Sequence, residues 1–197
     1  MTRRAEIDRE TAETRIHLEL GLDGTGAGTR TTGVGFLDHM LDLLARHGRL
    51  DLTVDVAGDL QTGAHHTVED TGLALGRALD EALGDRSGIT RYGHAVVPMD
   101  EARALCAIDI SGRPLLVFHA DLPTGGTGGM DHELVDEFFR AVASTARLTL
   151  HLDAQRGTNA HHIIEALFKA FARALRQAVA IDPDEHGVPS TKGTLTD

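Results

Sequence analysis

The chain has 197 residues, 41% hydrophobic and 25% charged, with 30 acidic against 19 basic side chains. A formal charge of -11 supplies no basic stripe for phosphate neutralisation, which argues against a nucleic-acid binder. No apolar run approaches the ~20 residues of a membrane span, no signal peptide opens the chain, and the single Cys106 excludes a disulfide framework or a thiolate metal cluster. The expectation is an acidic, cytoplasmic globular protein of one or two compact units.

Residues 14–20 alternate Ile16, Leu18 and Leu20 with Arg15, His17 and Glu19, which predicts a half-buried strand. Gly33 and Gly35 punctuate, and Phe36, Leu37, Met40, Leu41 and Leu44 then recur with helical spacing until Gly48. Residues 50–56 alternate again, and a second helix is expected from about Thr67 to Leu83. Further strands are predicted at 92–98, 103–110 and 114–120, followed by a helix at 132–146, a strand at 147–152 and a long helix at 160–180. The stretch from Asp182 to Asp197 reads as a loop or arm. Gly24 to Gly28 and Gly125 to Gly129 read as flexible connectors; the second lacks the Gly-Lys-Ser/Thr ending of a phosphate loop.

The chain is also one unit written twice. Leu37-Asp38-His39-Met40-Leu41 meets Val135-Asp136-Glu137-Phe138-Phe139 at an offset of 98, and His65-His66-Thr67-Val68-Glu69 meets His161-His162-Ile163-Ile164-Glu165 at an offset of 96. The halves, roughly 1–90 and 91–197, each run strands, helix, strand, helix. That predicts an α+β fold by internal duplication, in which four helices are sandwiched between two sheets in one compact domain.

On a helix, i and i+4 share a face while i and i+1 diverge by about 100°. His65 and Glu69 can therefore share one metal ion while His66 serves another, and the same holds for His161, Glu165 and His162. If the two helices face each other across a pseudo-two-fold, each of two sites takes a His/Glu pair from one helix and the odd His from the other. His39 and Glu137, placed alike by the repeat, are natural fourth ligands, with His132 a reserve. Nitrogen and oxygen donors without sulfur suit Mn, Fe, Co, Ni or Zn and leave open positions of catalytic style. The remaining histidines (His17, His47, His94, His119, His151 and His186) have no repeat partner and read as surface or structural.

These residues resemble the imidazoleglycerol-phosphate dehydratase family, lyases of histidine biosynthesis. The likeness runs through Arg9 to Thr14, Gly35 to Leu41, His65 to Asp70, Pro98-Met99-Asp100-Glu101, Asn159 to Ala166, Phe168 to Phe171 and Pro189-Ser190-Thr191-Lys192-Gly193. The resemblance implies a fold of the ribosomal-S5-domain-2 type with four-stranded sheets, a 24-subunit homo-oligomer, and two Mn2+ ions per active site, with ligands also coming from neighbouring subunits. It implies one metal on His39, His66, His161 and Glu165, and another on His65, Glu69, His162 and the residue at 137. Many members carry His there and this chain has Glu137. It further implies a phosphate grip by Arg91, Arg113, Lys169, Ser190, Thr191 and Lys192, with Glu13 at the reacting end of the substrate.

The implied reaction removes water from a diol whose proton-bearing carbon is not beside a carbonyl, so enolate chemistry is closed to it. A substrate imidazole bound to two metals as imidazolate can expel the neighbouring hydroxyl, after which a base, with Glu13 as candidate, removes the C–H proton. A dinuclear metallohydrolase and a non-catalytic metal-binding assembly are the alternatives. The first expects more bridging carboxylates than this set has, and the second leaves Arg91, Arg113, Lys169 and Lys192 without a role.

Overall fold

The computed structural model describes residues 3–195. In chain order the elements are β1 (Arg4–Glu10), β2 (Thr14–Gly21), β3 (Arg30–Thr31), α1 (Gly35–Gly48), β4 (Asp51–Gly58), α2 (His65–Leu83), β5 (Tyr92–Met99), β6 (Ala102–Asp109), β7 (Leu115–His119), β8 (Gly126–Thr127), β9 (Met130–Asp131), α3 (Leu134–Thr145), β10 (Thr149–Arg156) and α4 (Ala160–Ala178). One four-stranded sheet has the order β1-β2-β4-β3 and the other β5-β6-β10-β7. The two orders are the same motif. In each half an antiparallel hairpin leads, and a short edge strand pairs parallel to the last strand across a helical crossover: α1 between β3 and β4, α3 between β7 and β10.

Period-two alternation gives each sheet one apolar face. Ile16, Leu18, Leu20, Leu52 and Val54 are buried on the first, and Ala104, Cys106, Ile108, Leu150 and Leu152 on the second. Helix α2 covers the first sheet and α4 the second, while α1 packs on α4 and α3 on α2. The crossover helix of each half therefore lies against the long helix of the other. Phe138 and Phe139 of α3 also meet Phe168 of α4 at ring-centroid distances of 5.2 and 4.7 Å, and one core spans both halves. Each such ring, fully buried, contributes roughly 1.5–3 kcal/mol.

Three expectations need correcting. Strand β1 is absent from the sequence reading because only Ile7 among its residues is a buried apolar side chain, so its alternation carries little hydrophobic signal. Gly125 to Gly129 is a tight antiparallel hairpin, β8–β9, rather than a flexible connector. Gly24 to Gly28 is likewise pinned along β4: Leu52 N donates to Ala27 O at 2.8 Å, and a Cβ on Gly28 would stand 2.1 Å from Leu52 O. Glycine there permits close backbone approach, not mobility. Among the described residues no helix is long and apolar enough to cross a membrane.

Candidate active site

The packing of α1 on α4 brings His39, from the first half, to His161 and Glu165 of the second. Glu165 Oε2 lies 3.1 Å from His161 Nε2 and 3.5 Å from His39 Nε2, and the three donor atoms all lie within 4.8 Å of one another. His161 and Glu165 meet because they are i, i+4 on a helix. The Phe36 ring, 5.0 Å from that of His161 and 6.5 Å from that of His39, forms an apolar wall beside the two imidazoles. Glu165 is 6% exposed, and its other oxygen, Oε1, takes the Lys169 ammonium at 2.5 Å. Burial alone would raise this carboxyl, but Lys169, with His161 and His39, outweighs it and holds the group below its ordinary value. Two imidazole nitrogens and a carboxylate that stays ionised form a donor set that fits a first-row divalent metal.

The start of α4 is fastened to the β5–β6 turn. Asn159 caps it, its side chain accepting from His161 N at 2.9 Å, while Glu101 Oε1 accepts from Thr158 N and Asn159 N at 3.0 and 2.8 Å. The other Glu101 oxygen lies 2.7 Å from His162 Nδ1. The His162 imidazole and these two backbone donors hold the Glu101 carboxyl down at about 2, and Glu101 in turn raises His162. Helix α2 repeats the theme: His66 Nδ1 lies 3.0 Å from Asp59 Oδ2 and its Nε2 lies 3.6 Å from Glu13 Oε1. Glu13 in the β1–β2 turn and Glu101 in the β5–β6 turn occupy matching places in the two halves, each against the second histidine of its helix.

The family model for imidazoleglycerol-phosphate dehydratase matches residues 32–175. Imidazoleglycerol-phosphate dehydratase of Ruegeria pomeroyi is 58% identical over 194 residues, covering 98% of this chain and 100% of that protein. The chain belongs to the imidazoleglycerol-phosphate dehydratase family. The dehydratase of Moorella thermoacetica is 54% identical over the full length of both chains. The solved structure of the Staphylococcus aureus dehydratase superposes with a TM-score of 0.83 at 43% identity, covering 91% of this chain and 99% of that one. The Pyrococcus furiosus dehydratase gives a TM-score of 0.83 at 37% identity over 96% of this chain and 100% of that one. Membership makes the chain a hydro-lyase of histidine biosynthesis.

Against that family the expected ligands divide. His39, His161 and Glu165 converge within one chain, but His66 is turned to Asp59 and Glu13 and does not join them. His65 Nε2 and Glu69 Oε2 pair at 3.5 Å, yet neither Glu137 nor His162 completes a group with them in the same chain. The expectation that the two His-His-x-x-Glu helices of one chain face each other is therefore corrected: each lies against the other half's crossover helix. His132 is removed as a reserve ligand, since it is buried with Nδ1 2.7 Å from Pro123 O and Nε2 2.9 Å from Thr127 Oγ1. Among the described residues one other group could share an ion, Glu6, His17 and Glu19 on the open face of the first sheet.

The expected phosphate residues converge in part. Arg91 donates to Asp109 from Nε at 2.7 Å and from Nη2 at 3.2 Å, and its Nη1 reaches Pro189 O at 2.8 Å, next to Ser190. Arg113 Nη2 lies 3.6 Å from the same Asp109 and is mostly exposed. Arg91 has a φ of 72°, a left-handed backbone rare for a residue with a Cβ, at the spot where α4, β6 and the arm after α4 meet. Lys169 stands apart from this group, on Glu165. Sequence reasoning missed the carboxylates Asp59, Glu101 and Asp109 that hold these side chains. Glu101 lay inside a motif already singled out, but no spacing rule ties a turn residue to a helix 61 positions away.

Proposed function

We propose that the chain converts D-erythro-imidazole glycerol phosphate to imidazole acetol phosphate with two Mn2+ ions per active site. The observation that carries the metal reading is the His39–His161–Glu165 group. His66 would complete that site, and His65, Glu69, Glu137 and His162 would hold the second ion. Because His66 does not join the first group, and neither Glu137 nor His162 joins His65 and Glu69, within one chain, the missing ligands would come from neighbouring copies in a homo-oligomer, which the family resemblance puts at 24 subunits, in the cytoplasm. Bound there, the metals would supply positive charge that acidifies the substrate imidazole.

The chain's own residues carry the rest. Lys169 keeps Glu165 ionised and available as a donor. Glu13, exposed in its turn and tied through Asp59 N to Glu13 O at 3.1 Å, is the candidate base for the C–H proton. Arg91 and Arg113, set side by side on Asp109, would orient the substrate phosphate with Ser190, Thr191 and Lys192, leaving the imidazole end at the metals. Lys169 belongs to the phosphate set only if its ion pair with Glu165 opens.

The test offers imidazole glycerol phosphate, simple phosphoesters and amides in parallel to the manganese-loaded protein. Ketone formation from the imidazole diol alone is expected. Hydrolysis of the esters or amides instead would point to a dinuclear hydrolase, and metal uptake with no turnover to a metal-binding assembly.

A further inference from the structure

Arg86 is the largest fully buried side chain outside the aromatic core, with no exposed surface, and the chemistry above leaves it unused. Its Nη1 donates to Leu195 O at 2.5 Å, and its Nη2 to Asp80 Oδ1 at 2.6 Å and Ala146 O at 3.4 Å. Burying a guanidinium is costly unless it is paired and hydrogen-bonded, so its retention needs a reason beyond packing. The reason lies in what it grips. Leu195 is buried at the far end of the arm 182–195, which carries no helix or strand of its own.

The arm is held at both ends. At its start Asp182 N donates to Gly88 O at 2.9 Å, Gly88 N to Gly187 O at 2.7 Å, and Arg91 reaches Pro189 O. At its end Arg86 holds Leu195 O. Gly112, at a φ of 75°, lets that carbonyl pass so closely that a Cβ would stand 2.1 Å from it. Between the anchors Ser190 to Gly193 fold into a turn: Gly193 N donates to Ser190 O at 2.9 Å and Lys192 N to Ser190 Oγ at 3.2 Å, with Thr191 and Lys192 exposed. Gly112 immediately precedes Arg113, so the far anchor and one phosphate arginine share a loop.

We propose that Arg86 is a positioning residue for phosphate recognition, a buried latch that closes the arm over Gly112 and so presents the Ser190–Lys192 turn beside Arg91 and Arg113. The proposal rests on the phosphate reading of those residues given above. Unlatched, the turn loses its far anchor and its side chains must be ordered again on each binding event, a cost that falls on substrate affinity rather than on the chemical step.

Three variants of the full-length, metal-loaded protein test this: Arg86→Met, which refills the buried volume with an apolar chain while Arg147 still pairs Asp80 at 3.0 Å; a chain stopped after Thr194; and Lys192→Ala as control. KM for imidazole glycerol phosphate should rise roughly tenfold or more in the first two, the scale of one lost charge-assisted contact, with kcat changed less than about threefold. Inhibition by inorganic phosphate should weaken in parallel, and trypsin should cut after Lys192 faster than in the parent, as intact mass reads directly. A merely structural Arg86 would lower the melting temperature without moving the phosphate dependence. If Lys192→Ala raises KM while the truncated chain keeps the parent's KM and its trypsin resistance, the latch is wrong. If Lys192→Ala leaves KM and phosphate inhibition unchanged, the phosphate reading itself is wrong.

Discussion

Glu165 divides one buried carboxylate between two tasks: Oε1 holds Lys169 and Oε2 faces His161 and His39. Glu165→Gln keeps the shape and removes the charge. Manganese stoichiometry should fall and turnover should drop by more than the roughly 10–100-fold that losing an outer partner of a metal ligand costs. His132→Phe is the contrasting case. With both ring nitrogens bonded internally, its loss should cost about 1–3 kcal/mol of stability and leave the metal count unchanged; a lost metal would return His132 to the ligand set. Away from the site, Asp51 accepts from Thr25 N at 2.9 Å and Ala27 N at 3.2 Å, and these backbone donors hold its carboxyl below the ordinary value. A lowered carboxyl stabilises the fold fully above its unfolded value and loses that contribution as pH falls through the folded one. Urea midpoints of the metal-free protein between pH 5 and 3 should therefore fall less steeply for Asp51→Asn than for the parent, and equal slopes would contradict the assignment. The pairing of His161 with Glu165 was legible in the sequence because i, i+4 spacing is local. The turning of His66 towards Asp59 was not, because it depends on a loop that no periodicity describes.

At the scale of elements, helices with a sustained apolar stripe were readable to within a few residues, while β1, with a single buried apolar residue, left no pattern. Glycine was the most misleading residue type. Where the chain folds back on itself, a missing Cβ reports contact, and the same composition reads as slack in a linear sequence. The seam between α2 and α3 makes this testable: a Cβ on Gly76 would stand 2.5 Å from Val142 O and 2.1 Å from Thr145 Oγ1. Alanine favours a helix by up to about 1 kcal/mol over glycine, but overpacking this seam costs about 1–3 kcal/mol. Gly76→Ala should thus lower stability in chemical denaturation, and a gain would show that the two helices can part without strain.

Across the whole molecule, duplication explains why the His39–His161–Glu165 donor group forms where it does. Each crossover helix packs on the long helix of the other half, so His39 of one half joins His161 and Glu165 of the other, and an isolated half would carry only a pair. The repeat was visible in the sequence at two fixed offsets. Its consequence, that the two histidine-rich helices of one chain do not face each other, required knowing which helix lies on which. The odd histidines His66 and His162 pair instead with Asp59 and Glu101, and a neighbouring copy is what the proposed sites need to be complete. The measurement that bears most directly on this account is turnover of imidazole glycerol phosphate by chelator-stripped protein titrated with manganese. Turnover should be absent without metal and return in proportion to bound manganese, levelling off at about two ions per chain. Full turnover by the stripped protein, or manganese bound to that level with no ketone formed, would contradict it.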